Sequence, residues 1–180
     1  MENAIIIILF LLIILILIIL GMYNKLVRLR NSVKQSKSGI DVCLKQRFDL
    51  IPNFLETVKG YVKHEEGLFT DIAKLRSSYD GSNDLKTGES LNKEVNHLIA
   101  IAESYPELKA DGQFINLQNS LEKIEDKLQA ARIVYNESVT NYNNKIETVP
   151  SNFVAALFGF KEEDLFDIDV SEKKNVKLDI

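Results

Sequence analysis

The chain has 180 residues, 46% of them hydrophobic and 27% charged, with 22 basic side chains against 26 acidic ones. That length allows one domain plus an appendage, and a net charge of −4 without a concentrated basic face argues against nucleic acid as a partner. The single Cys43 excludes an intramolecular disulfide and fits a reducing compartment.

The average composition hides a split, because residues 1–22 are almost wholly apolar and the rest are polar. Ala4 to Leu20 is an unbroken run made almost entirely of Ile and Leu, extended by Gly21 and Met22. At about 1.5 Å per residue these residues reach roughly 28 Å as a helix, close to the hydrocarbon thickness of a bilayer. A core helix of a soluble protein would keep a polar face, and this run has none. A cleaved signal peptide would start basic and end on small residues. Here Glu2 is the only charge ahead of the run, and Leu20-Gly21-Met22-Tyr23 is a poor cleavage site. The expectation is an uncleaved single-pass anchor over 1–22. Lys25, Arg28, Arg30, Lys34 and Lys37 all precede the first following acid, Asp41. The positive-inside bias therefore predicts an N-terminus outside and the remaining mass in the cytoplasm. The same charges suit anionic lipid headgroups, and Tyr23 stands where an interfacial aromatic is expected.

Three stretches then carry helical periodicity. From Leu26 through Val33, Ile40, Leu44, Phe48, Leu55 and Val62 to Leu75, apolar residues recur at spacings of three, four or seven, which predicts one long helix. Pro52 lies inside it and predicts a kink near Leu50. Asp80 to Gly88 reads as a loop. Leu91, Val95, Leu98, Ala102 and Tyr105 mark a second helix. After a loop from Pro106 to Gly112, with Asp111 as a candidate cap, the third and most regular helix runs from Phe114 to Val149. Ser151 is read as the cap of a short apolar helix that stops at Gly159. The predicted fold is all-α: an N-terminal transmembrane helix, then an antiparallel bundle of three long helices and one short over 23–160, and a loosely ordered tail over 161–180.

Several blocks resemble a known family. Tyr23-Asn24-Lys25-Leu26-Val27-Arg28-Leu29-Arg30-Asn31 is similar to the opening of LemA family proteins. Arg47-Phe48-Asp49-Leu50-Ile51-Pro52-Asn53 with Val58-Lys59-Gly60-Tyr61 looks like that family's most recognisable block. Tyr105-Pro106-Glu107-Leu108-Lys109-Ala110 resembles a second block. Ala131-Arg132, Tyr135-Asn136-Glu137, Tyr142-Asn143, Pro150-Ser151-Asn152 and Leu157-Phe158-Gly159-Phe160 resemble a third. The resemblance covers roughly residues 20 to 166, in order. It implies a membrane helix and a cytoplasmic helical bundle, mostly in bacteria, with no established enzymatic activity, cofactor or substrate. No catalytic residue is carried over. The Gly- and Asn-rich stretch from Asp80 to Gly88 departs from the family's more helical pattern.

Candidate sites are few. His64 beside Glu65 and Glu66 lacks ligand spacing, and His97 is the only other histidine, so no metal is expected. No cofactor is expected either. Cys43 has no CxxC or nearby His and reads as a small hydrophobe. Asn136-Glu137-Ser138 is a sequon by form only, in a segment read as helical and cytoplasmic. The informative polar residues are Arg47, Asp49 and Asn53 around Pro52, and Arg132, Asn136 and Asn143 around the tyrosines of the third helix. They are expected to form a register-setting polar network or a partner site. Phe153, Leu157, Phe158 and Phe160 are expected to plug the end of the bundle, with docking on the membrane or a partner as the rival reading. The function expected is a membrane-anchored, non-enzymatic module binding an envelope protein or copies of itself. The rival is a small-molecule or lipid sensor, or a cryptic hydrolase, using a pocket at Arg47, Asp49 and Arg132.

Overall fold

A computed structural model describes residues 1–61, 66–82 and 85–166, and these form seven helices and no strand. Helix α1 (Glu2–Asp49) opens with the apolar run, which is exposed apart from the half-buried Ile19. By length and composition it is the one described helix able to cross a membrane. Full burial begins at Leu26. From there every seventh residue, Leu26, Val33, Ile40, Arg47 and then Phe54, is at most 3% exposed. This is the seam of a coiled-coil-like packing.

The series crosses from α1 into α2 (Ile51–Lys59) through a one-residue junction at Leu50. Pro52 has no N–H to offer the Phe48 carbonyl. The Leu50 N–H turns to Arg47 O at 3.2 Å, and the Phe54 N–H still reaches Leu50 O at 3.0 Å. Leu50 keeps helical dihedrals (φ −82°, ψ −16°), so the backbone passes through the junction as a single helical turn. The long first helix expected through Leu75 does not reach that far. It gives out at Gly60, and α3 (Glu66–Ser82) is a separate element. Phe54, rather than the expected Leu55, takes the buried place, because it holds the seven-residue spacing.

Helix α4 (Leu85–Ala102) packs on α3, so the loop expected from Asp80 to Gly88 is instead mostly helical. Gly88 shows why a helix carries a glycine there. A Cβ on it would lie 3.0 Å from Leu44 Cδ1 and 3.1 Å from Tyr79 Cε2. The glycine serves close packing, not a turn.

The short α5 (Pro106–Lys109) leads to α6 (Gly112–Glu147). Asp111 caps α6 as expected, its Oδ1 accepting the N–H groups of Gln113 (2.8 Å) and Phe114 (3.0 Å). Along α6, Phe114, Leu121, Leu128, Tyr135 and Tyr142 repeat the seven-residue interval and are all buried. Helix α7 (Ser151–Leu157) follows. Ser151 does not cap it: its hydroxyl donates to Lys145 O (2.7 Å) and Thr148 O (3.0 Å), satisfying carbonyls that the end of α6 leaves open. Gly159 ends α7 at φ +69°, where the Phe160 N–H closes on Ala155 O at 3.0 Å.

The chain divides into two compact units. The first joins Met1–Lys37 to the chain from Arg132 onward, and the second is Ser38–Ala131. Within the second, Arg47 meets Glu125, Phe54 meets Phe114 and Tyr61 meets Asp111, an antiparallel course.

Candidate functional site

In the second unit, the heptad seam places Arg47 where an apolar residue would normally sit. Burying a bare guanidinium is costly unless it is paired and hydrogen-bonded. Arg47 is 2% exposed; it is ion-paired with Glu125 of α6 and donates to Asn96 Oδ1 of α4. The node thus ties three helices around one charge. Of the residues expected beside it, Asp49 and Asn53 are both exposed. The partners that matter, Glu125 and Asn96, were missed by the sequence reading. The missed signal was the interval itself, since Arg47 continues Leu26, Val33 and Ile40.

Arg132, Asn136 and Asn143 lie in the first unit, so the predicted polar residues fall into two groups. In that unit residues 161–166, expected to be loosely ordered, run extended along α6. Asn143 Nδ2 donates to Glu163 O (2.8 Å), and its Oδ1 accepts the Glu163 N–H (3.0 Å). Asn136 repeats the arrangement on Phe166, at 3.0 and 2.7 Å. Seven helical residues rise about 10.5 Å and three extended residues span about 10 Å, so the two clamps match in pitch. Between them the Tyr135 hydroxyl donates to Asp164 O at 3.1 Å. The Phe166 ring stands edge-on to Tyr135 (6.4 Å) and lies under the Arg132 guanidinium (5.0 Å). The dipeptide Tyr-Asn recurs at 135 and 142, and that repeat was the legible trace of the clamp.

Electrostatics follow the packing. Burial raises the Tyr135 phenol above its ordinary value, and the carboxylates of Glu163 and Asp164 push the same way. Burial likewise raises Tyr142, with Arg30 opposing and Glu163 adding. The Phe114 N–H holds the Asp111 carboxyl below the usual range; desolvation opposes it, and the Gln113 N–H and the Tyr61 hydroxyl assist.

The aromatic cluster after α6 divides. Phe160 is buried, while Phe153, Leu157 and Phe158 are 69%, 74% and 51% exposed. The expected plug is therefore Phe160 with Val154 and Ala155, and the other three do not take part. Cys43 is half-buried and His97 is exposed, 3.9 Å from Glu94. His64 and Glu65 lie outside the described residues. An open groove between α2 and α3 is lined by Pro52, Leu55, Glu56, Lys59, Arg76 and Ser77 among others.

Comparison with known proteins agrees with this architecture. The model of the LemA family matches residues 36–180. Protein LemA of Metamycoplasma hominis is 27% identical over 169 residues, covering 87% of this chain and 77% of that protein. Magnetosome protein MamQ 2 of Paramagnetospirillum magneticum and magnetosome protein MamQ of Magnetospirillum gryphiswaldense are each 22% identical over 178 residues. These matches cover 82% of this chain but only 65% of those proteins.

Proposed function

The chain belongs to the LemA family, and on that premise we propose that it is a single-pass membrane protein whose helical part is a non-enzymatic, cytoplasmic interaction module. The observation that carries this reading is the apolar start of α1, which is exposed along nearly its whole length. In water such a surface would drive aggregation. In a bilayer each Ile or Leu contributes roughly −0.5 kcal/mol, several kcal/mol over the run. The basic residues from Lys25 to Lys37 support placing the bundle on the cytoplasmic side. The engagement of Arg47 with Glu125 and Asn96 supports a structural role for that charge over a ligand-binding one. The clamp on α6 supports the interaction reading, because it holds an extended chain largely through main-chain groups.

Crosslinking of the full chain in its native membrane, followed by mass spectrometry, tests the module. Adducts to a protein neighbour or to a second copy are expected, and their absence would overturn it. Orientation is tested on a Cys43→Ser background. A membrane-impermeant thiol reagent added outside should label Glu2→Cys and spare Ser78→Cys.

A further inference from the structure

Residues 148–160 carry no charged side chain, although Glu147 and Lys161 flank them. Within this segment α7 buries Ser151, Val154 and Ala155 on one side. It leaves Phe153 and Leu157, one turn apart, exposed on another, with Val149 and Phe158 exposed beside them. Exposed aromatic and aliphatic residues clustered this tightly mark a contact surface. Their location says with what. The Phe158 ring lies 4.8 Å from Tyr23 and the Phe160 ring 5.7 Å from it. Tyr23 directly follows the apolar run, at the depth where hydrocarbon gives way to headgroups.

We propose that the face formed by Val149, Phe153, Leu157 and Phe158 is a second membrane contact, inserted into the headgroup and upper acyl layer beside the emerging anchor. The inference rests on the anchoring reading above, since Tyr23 sets the depth only if the apolar run spans the bilayer. Charge is complementary to the assignment. Lys25 and Arg28 are exposed next to Tyr23, and the Arg30 guanidinium lies 5.1 Å over the Phe160 ring, which surrounds the apolar face with cations suited to anionic lipid. Of the acids that follow, Glu162, Glu163 and Asp164, the last two have their main chain held along α6 by Asn143 and Tyr135. Apolar side chains that enter the interface while cations stay at the headgroups are the general design of interfacial membrane contacts.

The chain has no tryptophan, so one introduced residue becomes a unique fluorophore. Phe153→Trp and, separately, Leu157→Trp are placed in the full chain and reconstituted into vesicles of mixed neutral and anionic lipid, with Leu12→Trp as the anchor control. Circular dichroism checks that each variant is folded. Both α7 variants should emit to the blue of an exposed tryptophan and lose intensity several-fold in lipids brominated near the headgroup. Leu12→Trp should respond to bromines deep in the acyl chain. Quenching of Leu12→Trp with solvent-like, unquenched emission from both α7 variants would overturn the second contact and leave the anchor standing. Failure of Leu12→Trp to quench would overturn the anchor itself. Blue emission from the α7 variants that bromolipids do not quench, and that reddens as protein is diluted in lipid, would assign the face to a second copy and overturn the proposal.

Discussion

Arg47 is the residue whose placement costs most and specifies most. Removing either partner leaves an uncompensated charge, so Arg47→Ala or Glu125→Ala should destabilise the fold by about 3–5 kcal/mol. The double replacement Arg47→Met with Glu125→Leu should recover most of that loss, because apolar residues of similar volume suit the seam. Chemical unfolding in detergent micelles, followed by circular dichroism, measures both. Asp111 makes a separate prediction. Its carboxyl lies below its ordinary value in the fold, first through the Phe114 N–H. The stability it adds is therefore complete at neutral pH and is lost as the pH falls through the usual carboxylate range toward its folded value. Asp111→Asn keeps a capping side chain but should flatten the acid side of the melting profile.

At the scale of elements, the clamp on α6 and the glycine of α4 are the features to test. Asn136→Ala and Asn143→Ala each delete two hydrogen bonds to the main chain of residues 163 or 166. Each should weaken the seating of the segment by about 1–3 kcal/mol. Faster amide exchange at Glu163 and Phe166, with earlier tryptic cleavage after Lys161, is the expected readout. Alkaline conditions should act in the same direction. Tyr135 ionises later in the fold than in the unfolded chain, so its contribution is full at neutral pH and is lost as the pH rises past the ordinary tyrosine range. Gly88→Leu would force a side chain onto Leu44 and Tyr79. It should destabilise the second unit by about 1–3 kcal/mol, measured by thermal unfolding.

For the molecule as a whole, the division of labour runs along the chain. The family match begins at residue 36, beyond the apolar run and most of its basic flank. The apolar run and the matched segment therefore occupy different residues. Phe158 and Phe160 complicate that division, because residues far from the apolar run in sequence stand beside Tyr23 in the first unit.

Periodicity and composition determined what depends on near neighbours alone. The apolar N-terminal helix was legible from an unbroken Ile and Leu run, the helical class from spacings of three, four and seven, and the start of α6 from Asp111. The break between α1 and α2 at Leu50 followed from the missing N–H of Pro52. Tertiary structure decided what depends on residues distant in sequence. It gave Arg47 the partners Glu125 and Asn96, and turned Gly88 from a loop signal into a packing device. It sent the Ser151 hydroxyl back to α6 and laid residues 161–166 along Asn136 and Asn143. Local sequence states which groups need a partner, because an unpaired buried charge or carbonyl is costly wherever it lies. Which partner meets that need is set only when the helices pack.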